Sequence, residues 1–211
     1  MNYKDFRCAW IDKKIIWDIA DRARDELWAK EKLPIDMEEI IELKLQLNVE
    51  PTHGLLNLID MDAYLKMDLS GIVVDYDSYM EARYANRLRF SLAHELGHYI
   101  LHKDVYLKLN LTSAEEWKNF IINVPEDEYG DFEWQANEFA GRFLVPHNFL
   151  KARLDGVIKL IKQNKELTTY LKKDPDAVLS RVSPVLRKPF GVSEEVIERR
   201  LKRENLWPPD F

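Results

Sequence analysis

The chain has a single cysteine, Cys8, among 211 residues. One thiol excludes an intrachain disulfide and a cysteine-rich metal site. Glycine and proline are sparse, 7 and 9 residues, and no stretch repeats or runs to Gly/Ser, which excludes solenoids and flexible linkers. Long hydrophobic runs are missing too, since none approaches the roughly 18–20 apolar residues that span a bilayer. The leading residues, MNYKDFRCAW, lack the apolar stretch and small-residue cleavage site of a signal peptide. What is present is an ordinary globular balance, 46% hydrophobic and 32% charged, neither disordered nor fibrous. The length fits one compact domain with a small appended subdomain, and cytoplasmic localisation is the expectation.

The net charge of −6 is unevenly spread. Residues 1–150 hold 17 Lys+Arg against 28 Asp+Glu, whereas residues 151–211 hold 14 against 9. A basic C-terminal third could touch nucleic acid or an acidic partner. The excess is modest, and a solvated helical face is the favoured reading.

Apolar residues Ile15, Ile16, Ile19, Ala20, Ala23 and Leu27 repeat at helical spacing between Trp10 and Lys30. Asp36 with Glu39 resembles a capping box opening a short helix through about Leu45, and Ser113 with Glu116 another, opening a helix that fades near Pro125. Between them the short runs LNV, LLNLID and GIVVDY, broken by Pro51, Gly54 and Gly71, predict a small antiparallel sheet of about three strands. Helical spacing returns over Asn86–His102 and Asp131–Leu144, then near 147–163, 165–172 and 193–205, with Pro175, Pro184 and Pro189 as breaks. Helices around one small sheet define an α+β chain. Its division falls at 1–146 for the core and 147–211 for a C-terminal helical subdomain.

The chemistry concentrates in RFSLAHELGHYILH, residues 89–102. On a helix, residues four apart sit about 40° apart in rotation and about 6 Å along the axis. His94 and His98 thus share a face and can grip one ion with zinc–nitrogen bonds of about 2.0–2.1 Å. Glu95 is turned about 100° from His94 and flanks that ion. A carboxylate there can act as base toward a water that zinc makes acidic. Two surface histidines with an exposed glutamate between them is the bland alternative, disfavoured by the placement of H-E-x-x-H inside a helix that follows a strand pattern. Gly97, costly in mid-helix by about 1 kcal/mol against alanine, marks a close approach or tight packing.

A catalytic zinc needs a third protein ligand. The candidates are His102, His53, His147 or a downstream carboxylate. Three ligands in one row along a helix would span about 12 Å, so His102 reads as a residue supporting a ligand or packing beside it. EWQANEFAGRFLVP, residues 133–146, offers Glu133 and Glu138. Glu133 shares a face with Ala136, Ala140 and Phe143 and could point inward, whereas Glu138 lies near the opposite side and is expected to be exposed. Asn137, one turn after Glu133, could orient a ligand histidine.

The paired segments RFSLAHELGHYILH and EWQANEFAGRFLVP resemble the ImmA/IrrE family of zinc metallo-endopeptidases. PIDMEEIIELKLQLNV is similar to that family's leading helix and strand, and FGVSEEVIERRL to its late helix, so the resemblance runs from about Pro34 onward. It implies a gluzincin-like site with zincin-type active-site helices: one Zn2+ per chain on His94, His98 and Glu133, Glu95 as base, and Asn137 behind a ligand. Gln135 stands where an acidic residue is common, a departure that touches no proposed ligand. The expectation that goes with the resemblance is a compact form, without an added helix-turn-helix domain before the core or a sensor domain after it.

The resemblance also implies a substrate: limited proteolysis of a helix-turn-helix transcriptional repressor, derepressing phage, mobile-element or stress genes. Tyr99, Tyr106 and Tyr129 are conceivable oxyanion donors. The alternative is a zinc-containing regulatory module that docks on a repressor or DNA without cleaving. It would work through residues 146–206, which in some relatives resemble a helix-turn-helix and here carry Lys159, Lys162, Lys165, Arg199, Arg200 and Arg203. Aromatic residues are not interleaved with these cations as a single-strand binder requires, and a pure binding module has no need of Glu95. Nucleic-acid contact is therefore not expected for catalysis, and no membrane partner is expected.

Overall fold

A computed structural model describes residues 3–30, 32–56, 61–109, 111 and 114–209. Its elements run α1 (Lys13–Leu27), a π-type turn of helix α2 (Glu39–Lys44), β1 (Asn48–Thr52), β2 (Ala63–Leu65), β3 (Gly71–Asp75), α3 (Tyr76–Met80), α4 (Ala85–Leu101), α5 (Lys103–Leu109) and α6 (Ala114–Asn123). They continue as α7 (Glu126–Leu144), α8 (His147–Lys162), α9 (Lys165–Lys173), α10 (Pro175–Leu186) and α11 (Glu194–Arg203). The class is α+β. Backbone packing divides the chain into two units, one of Met1–Glu31 with Asp36–Phe143, the other of Lys32–Ile35 with Leu144–Phe211.

In the first unit the sheet order is β1-β3-β2. The expected antiparallel pairing holds for β2 and β3, where Ala63 faces Val74 and Leu65 faces Ile72. The other pairing is parallel, with Asn48 opposite Gly71 and Thr52 opposite Asp75. Only the short connection from β2 to β3 closes a hairpin. The longer connection after β1 lets that strand reach the far edge of β3 in the opposite sense. Central β3 is buried throughout. At Gly71 a Cβ would lie 2.5 Å from the Asn48 carbonyl oxygen, so a glycine is what allows β1 to pair there. Of the expected strand LLNLID, Leu55 and Leu56 form a helical turn and residues 57–60 lie outside the described residues, while β2 is Ala63–Leu65. Three residues are too few to show an alternating pattern.

Asp36 caps the next helix as expected, its Oδ1 accepting from the Glu39 N–H at 3.1 Å. The Ser113 cap falls outside the described residues. Helix α1 buries Ile16 and Ala20 completely and is tied to α7 by polar contacts. The Arg142 guanidinium donates to both Asp21 oxygens at 2.9 and 3.0 Å, and Trp17 Nε1 donates to Glu138 Oε2 at 3.0 Å. Glu138 is accordingly 2% exposed, which corrects the expectation of a surface glutamate: the face turned away from Glu133 is covered by α1.

Partial burial pushes the Asp21 carboxyl up, but the hydrogen bonds and charge of Arg142, with Arg24 beside it, outweigh burial and hold it below its ordinary value. A depressed folded pKa contributes stability above the usual carboxylate range and loses it as pH falls through the folded value. Asp21→Asn is expected to cost about 1–3 kcal/mol at neutral pH and to flatten the loss of stability below about pH 4. Urea melts at pH 7 and pH 3 measure both; equal destabilisation at the two values would sink the prediction.

The second unit is helical. Leu150, Leu154, Ile158 and Ile161 of α8 are buried, as are Leu171, Val178, Leu179, Val182, Leu186, Phe190, Ile197 and Leu201. Helices α9, α10 and α11 start on Asn164, Asp174 and Ser193 side chains that accept main-chain N–H groups. Pro175 does stand where α9 gives way to α10, but α10 itself was not expected and runs through Pro184, read as a break. Pro175 occupies the first helical turn, where the missing N–H has no helical partner to lose, and Pro184 sits in the last. No helix among the described residues is long and apolar enough to cross a membrane.

Candidate metal centre

Helix α4 presents His94 and His98 one turn apart, and α7 crosses it at Gly97. A Cβ on Gly97 would lie 3.1 Å from the Ala136 carbonyl oxygen and 3.2 Å from its Cα. The glycine therefore lets the two backbones approach, resolving the mid-helix glycine in favour of packing. One turn before Ala136, Glu133 reaches the histidines. Its Oε2 lies 3.1 Å from His94 Nε2, its Oε1 lies 3.6 Å from His98 Nε2, and the two Nε2 atoms are 3.0 Å apart. A tetrahedral ion with bonds near 2.05 Å spaces its ligand atoms about 3.3 Å apart. The separations found bracket that value, and two neutral nitrogens with one carboxylate form a donor set suited to zinc. Among the described residues these three side chains are the group spaced to hold a metal ion. Gly97→Ala must push α7 back by a few tenths of an ångström. It is expected to weaken zinc binding several-fold in a chelator-competition titration, with little change in melting because alanine improves helix propensity. Unchanged affinity would count against the close crossing.

The other third-ligand candidates lie elsewhere. His53 packs its ring, tilted, on Tyr76 at 3.9 Å between ring centres, and His147 pairs with Glu204 in the second unit. His102 ends α4 and turns its Nδ1 to His98 Nδ1 at 2.9 Å, on the side of His98 facing away from Glu133. His94 Nδ1 donates to Asn137 Oδ1 at 3.1 Å, which leaves its Nε2 directed at the cluster. The Phe132 ring packs against both His98 and His102, at 4.4 and 4.2 Å, and fixes their planes.

Glu95 is 5% exposed. Its Oε2 accepts from the Leu65 N–H at 2.7 Å, a donor on the edge of β2 that does not face β3. Burial pushes its carboxyl up; His94 and the Leu65 N–H draw it back, Glu133 adds to the rise, and the balance is about 7. Burial presses His94 down, yet Glu133 and the Glu95 charge raise it to about 9. Burial lowers His98 and takes His102, beside His98, to about 3. Burial also opposes the charge on Glu133, but both histidines hold that carboxyl well below its usual range. The cluster thus stabilises positive charge between an ionised Glu133 and the two imidazoles, where protons and metal ions compete for the same lone pairs.

Two further groups adjoin the cluster. Gln135, fully buried, meets His102 Nε2 through Oε1 at 3.2 Å. Tyr129, one helical turn before Glu133, has its hydroxyl hydrogen-bonded to that carboxylate and is raised by burial and by Glu133. Tyr129 had been named only as one of three conceivable oxyanion donors, and no local pattern pointed to Gln135.

An H-E-x-x-H helix beside a small sheet, crossed by a second helix that brings a carboxylate to the two histidines, defines a zinc-metallopeptidase-type domain. The family model described as the IrrE N-terminal-like domain, peptidase M78, matches residues 82–202. That is more than half of the chain, and the chain belongs to this family, as the paired motifs implied. No curated protein matches significantly. Among solved structures, a Mycobacterium tuberculosis transcriptional regulator matches at TM-score 0.51 and 18% identity, over 92% of this chain and 47% of that one. The likeness is one of fold, and the chain spans about half the length of that regulator.

Proposed function

We propose that the chain is a zinc-dependent endopeptidase that cuts a helix-turn-helix transcriptional repressor at one or a few sites. The observation that carries the reading is the buried Glu95 carboxylate, anchored on Leu65 directly beside three converging donors. His94, His98 and Glu133 would hold the ion, with Asn137 and His102 behind the histidines. Zinc bound there supplies Lewis acidity, making water acidic near neutral pH and polarising a carbonyl. Glu95 takes the proton from the attacking water and returns it to the leaving amine. The Leu65 N–H holds the carboxylate in place between the two transfers. Glu133 is kept ionised by its two histidines, and the Tyr129 hydroxyl restrains its rotation. The repressor as target rests on the family resemblance.

The test is incubation of the zinc-loaded chain with a helix-turn-helix repressor, followed by mass spectrometry of the products. Discrete fragments, absent with Glu95→Gln, support the peptidase. A stable complex with intact repressor, formed equally by Glu95→Gln, would replace this reading with the docking module.

A further inference from the structure

The hydrogen bonds behind His98 run beyond His102 to the N-terminal segment, and their direction can be worked out from one end. Gln135 Nε2 lies 3.0 Å from the Ala9 carbonyl oxygen and 3.4 Å from Cys8 Sγ. A main-chain carbonyl only accepts, so the amide must turn its NH2 to Ala9. That leaves Oε1, an acceptor, on His102 Nε2 at 3.2 Å, and places the His102 proton on Nε2. His102 Nδ1 then carries a lone pair and accepts from His98 Nδ1 at 2.9 Å. With its proton on Nδ1, His98 directs the Nε2 lone pair toward His94 and Glu133, the form a metal ligand needs. Gln135 and His102 are buried, at 0% and 3% exposure, so water is not at hand to substitute for a lost partner.

We propose that Gln135 is a positioning residue of the metal centre: held by the Ala9 carbonyl, it sets through His102 which nitrogen of His98 faces the ion. The inference rests on His94, His98 and Glu133 being the zinc ligands. It assigns residues 8 and 9, outside the helices that carry the ligands, a part in building the site. It also separates two roles that Gln135 could play. If Oε1 matters as an acceptor, glutamate kept protonated by burial can replace it, one carboxyl oxygen accepting from His102 and the hydroxyl donating to the Ala9 carbonyl in place of the amide NH2. Methionine, of similar shape but without that acceptor, cannot. If Gln135 only fills space, the order reverses, since methionine packs as well and a buried carboxyl is penalised.

The experiment measures zinc affinity by chelator competition on the full chain, for wild type, Gln135→Met, Gln135→Glu and His98→Ala, with thermal melting as a check on folding. Gln135→Met is expected to bind zinc about 10–100-fold more weakly and Gln135→Glu within about threefold of wild type. Imidazole 15N spectra of the wild type are expected to place the His102 proton on Nε2, a readout independent of how the variants fold. Methionine binding as tightly as wild type, glutamate failing along with methionine, or the His102 proton on Nδ1 would each overturn the proposal. Undiminished zinc binding by His98→Ala would instead show that the ligand assignment itself is wrong, and the inference would fall with it.

Discussion

Glu95→Gln is expected to bind zinc as tightly as wild type and to lose about 10²–10⁴-fold in peptide cleavage, the range for removing a general base. The amide keeps the size of the side chain and, through its oxygen, the hydrogen bond from the Leu65 N–H that the carboxylate makes at 2.7 Å. What it loses is the capacity to take a proton. Burial raises the Glu95 carboxyl to about 7, so the group stands near its midpoint at neutral pH, where a base and its conjugate acid are both available. Below that value the carboxyl is protonated and cannot act as base, so cleavage should fall as the pH falls. A cation on His94, His98 and Glu133 favours the ionised carboxylate, which puts the acid limb of the zinc-loaded protein at or below about pH 7. Cleavage rate against pH, with zinc content measured on the same samples, tests both parts. Retention of most activity by Glu95→Gln, or loss of its zinc along with activity, would remove Glu95 as the base.

The parts of this site that were legible in the sequence are those set by helical geometry. His94 and His98 are four apart and Glu95 adjoins them, so one period is enough to place all three. Glu133 was marked by the small residues on its face, and Ala136 does allow the close crossing at Gly97. His102 was set apart from the ligands by the length of helix between it and His94, and its Nδ1 contact with His98 agrees with that reading. The parts that stayed hidden depend on segments more than a hundred residues away. Glu138 was expected at the surface because its own helix cannot show that Trp17 of α1 covers it. Gln135 was read as a departure that touches no proposed ligand, and it touches none; what stayed hidden is that Ala9 meets one end of its amide and His102 the other. The sheet follows the same rule. The β2–β3 hairpin is local and was expected as antiparallel, whereas the parallel partner of β3 depends on where a longer connection goes.

Glu133→Ala should remove the carboxylate that joins the two helices through the metal centre, with an effect larger than any change behind the ligands. Those supporting contacts are worth about 10–100-fold in metal affinity, so loss of a direct ligand is expected to weaken zinc by more than about 100-fold. Two imidazole nitrogens 3.0 Å apart remain, without the negative charge that draws a cation between them. The same substitution takes away the partner that raises His94 to about 9. Its proton is then held less firmly, and zinc loses a competitor as well as a ligand. The two effects oppose, but the carboxylate acts directly on a divalent ion and only indirectly on that proton, so the loss of affinity dominates. Because zinc bound to the native state alone stabilises it by about 4 kcal/mol at a thousand times its dissociation constant, excess zinc should raise the melting temperature of the wild type. It should leave Glu133→Ala nearly unmoved. A Glu133→Ala protein that melts higher with zinc by the wild-type increment would mean that the third donor comes from another residue, and the crossing of α4 and α7 at Gly97 would then serve packing alone.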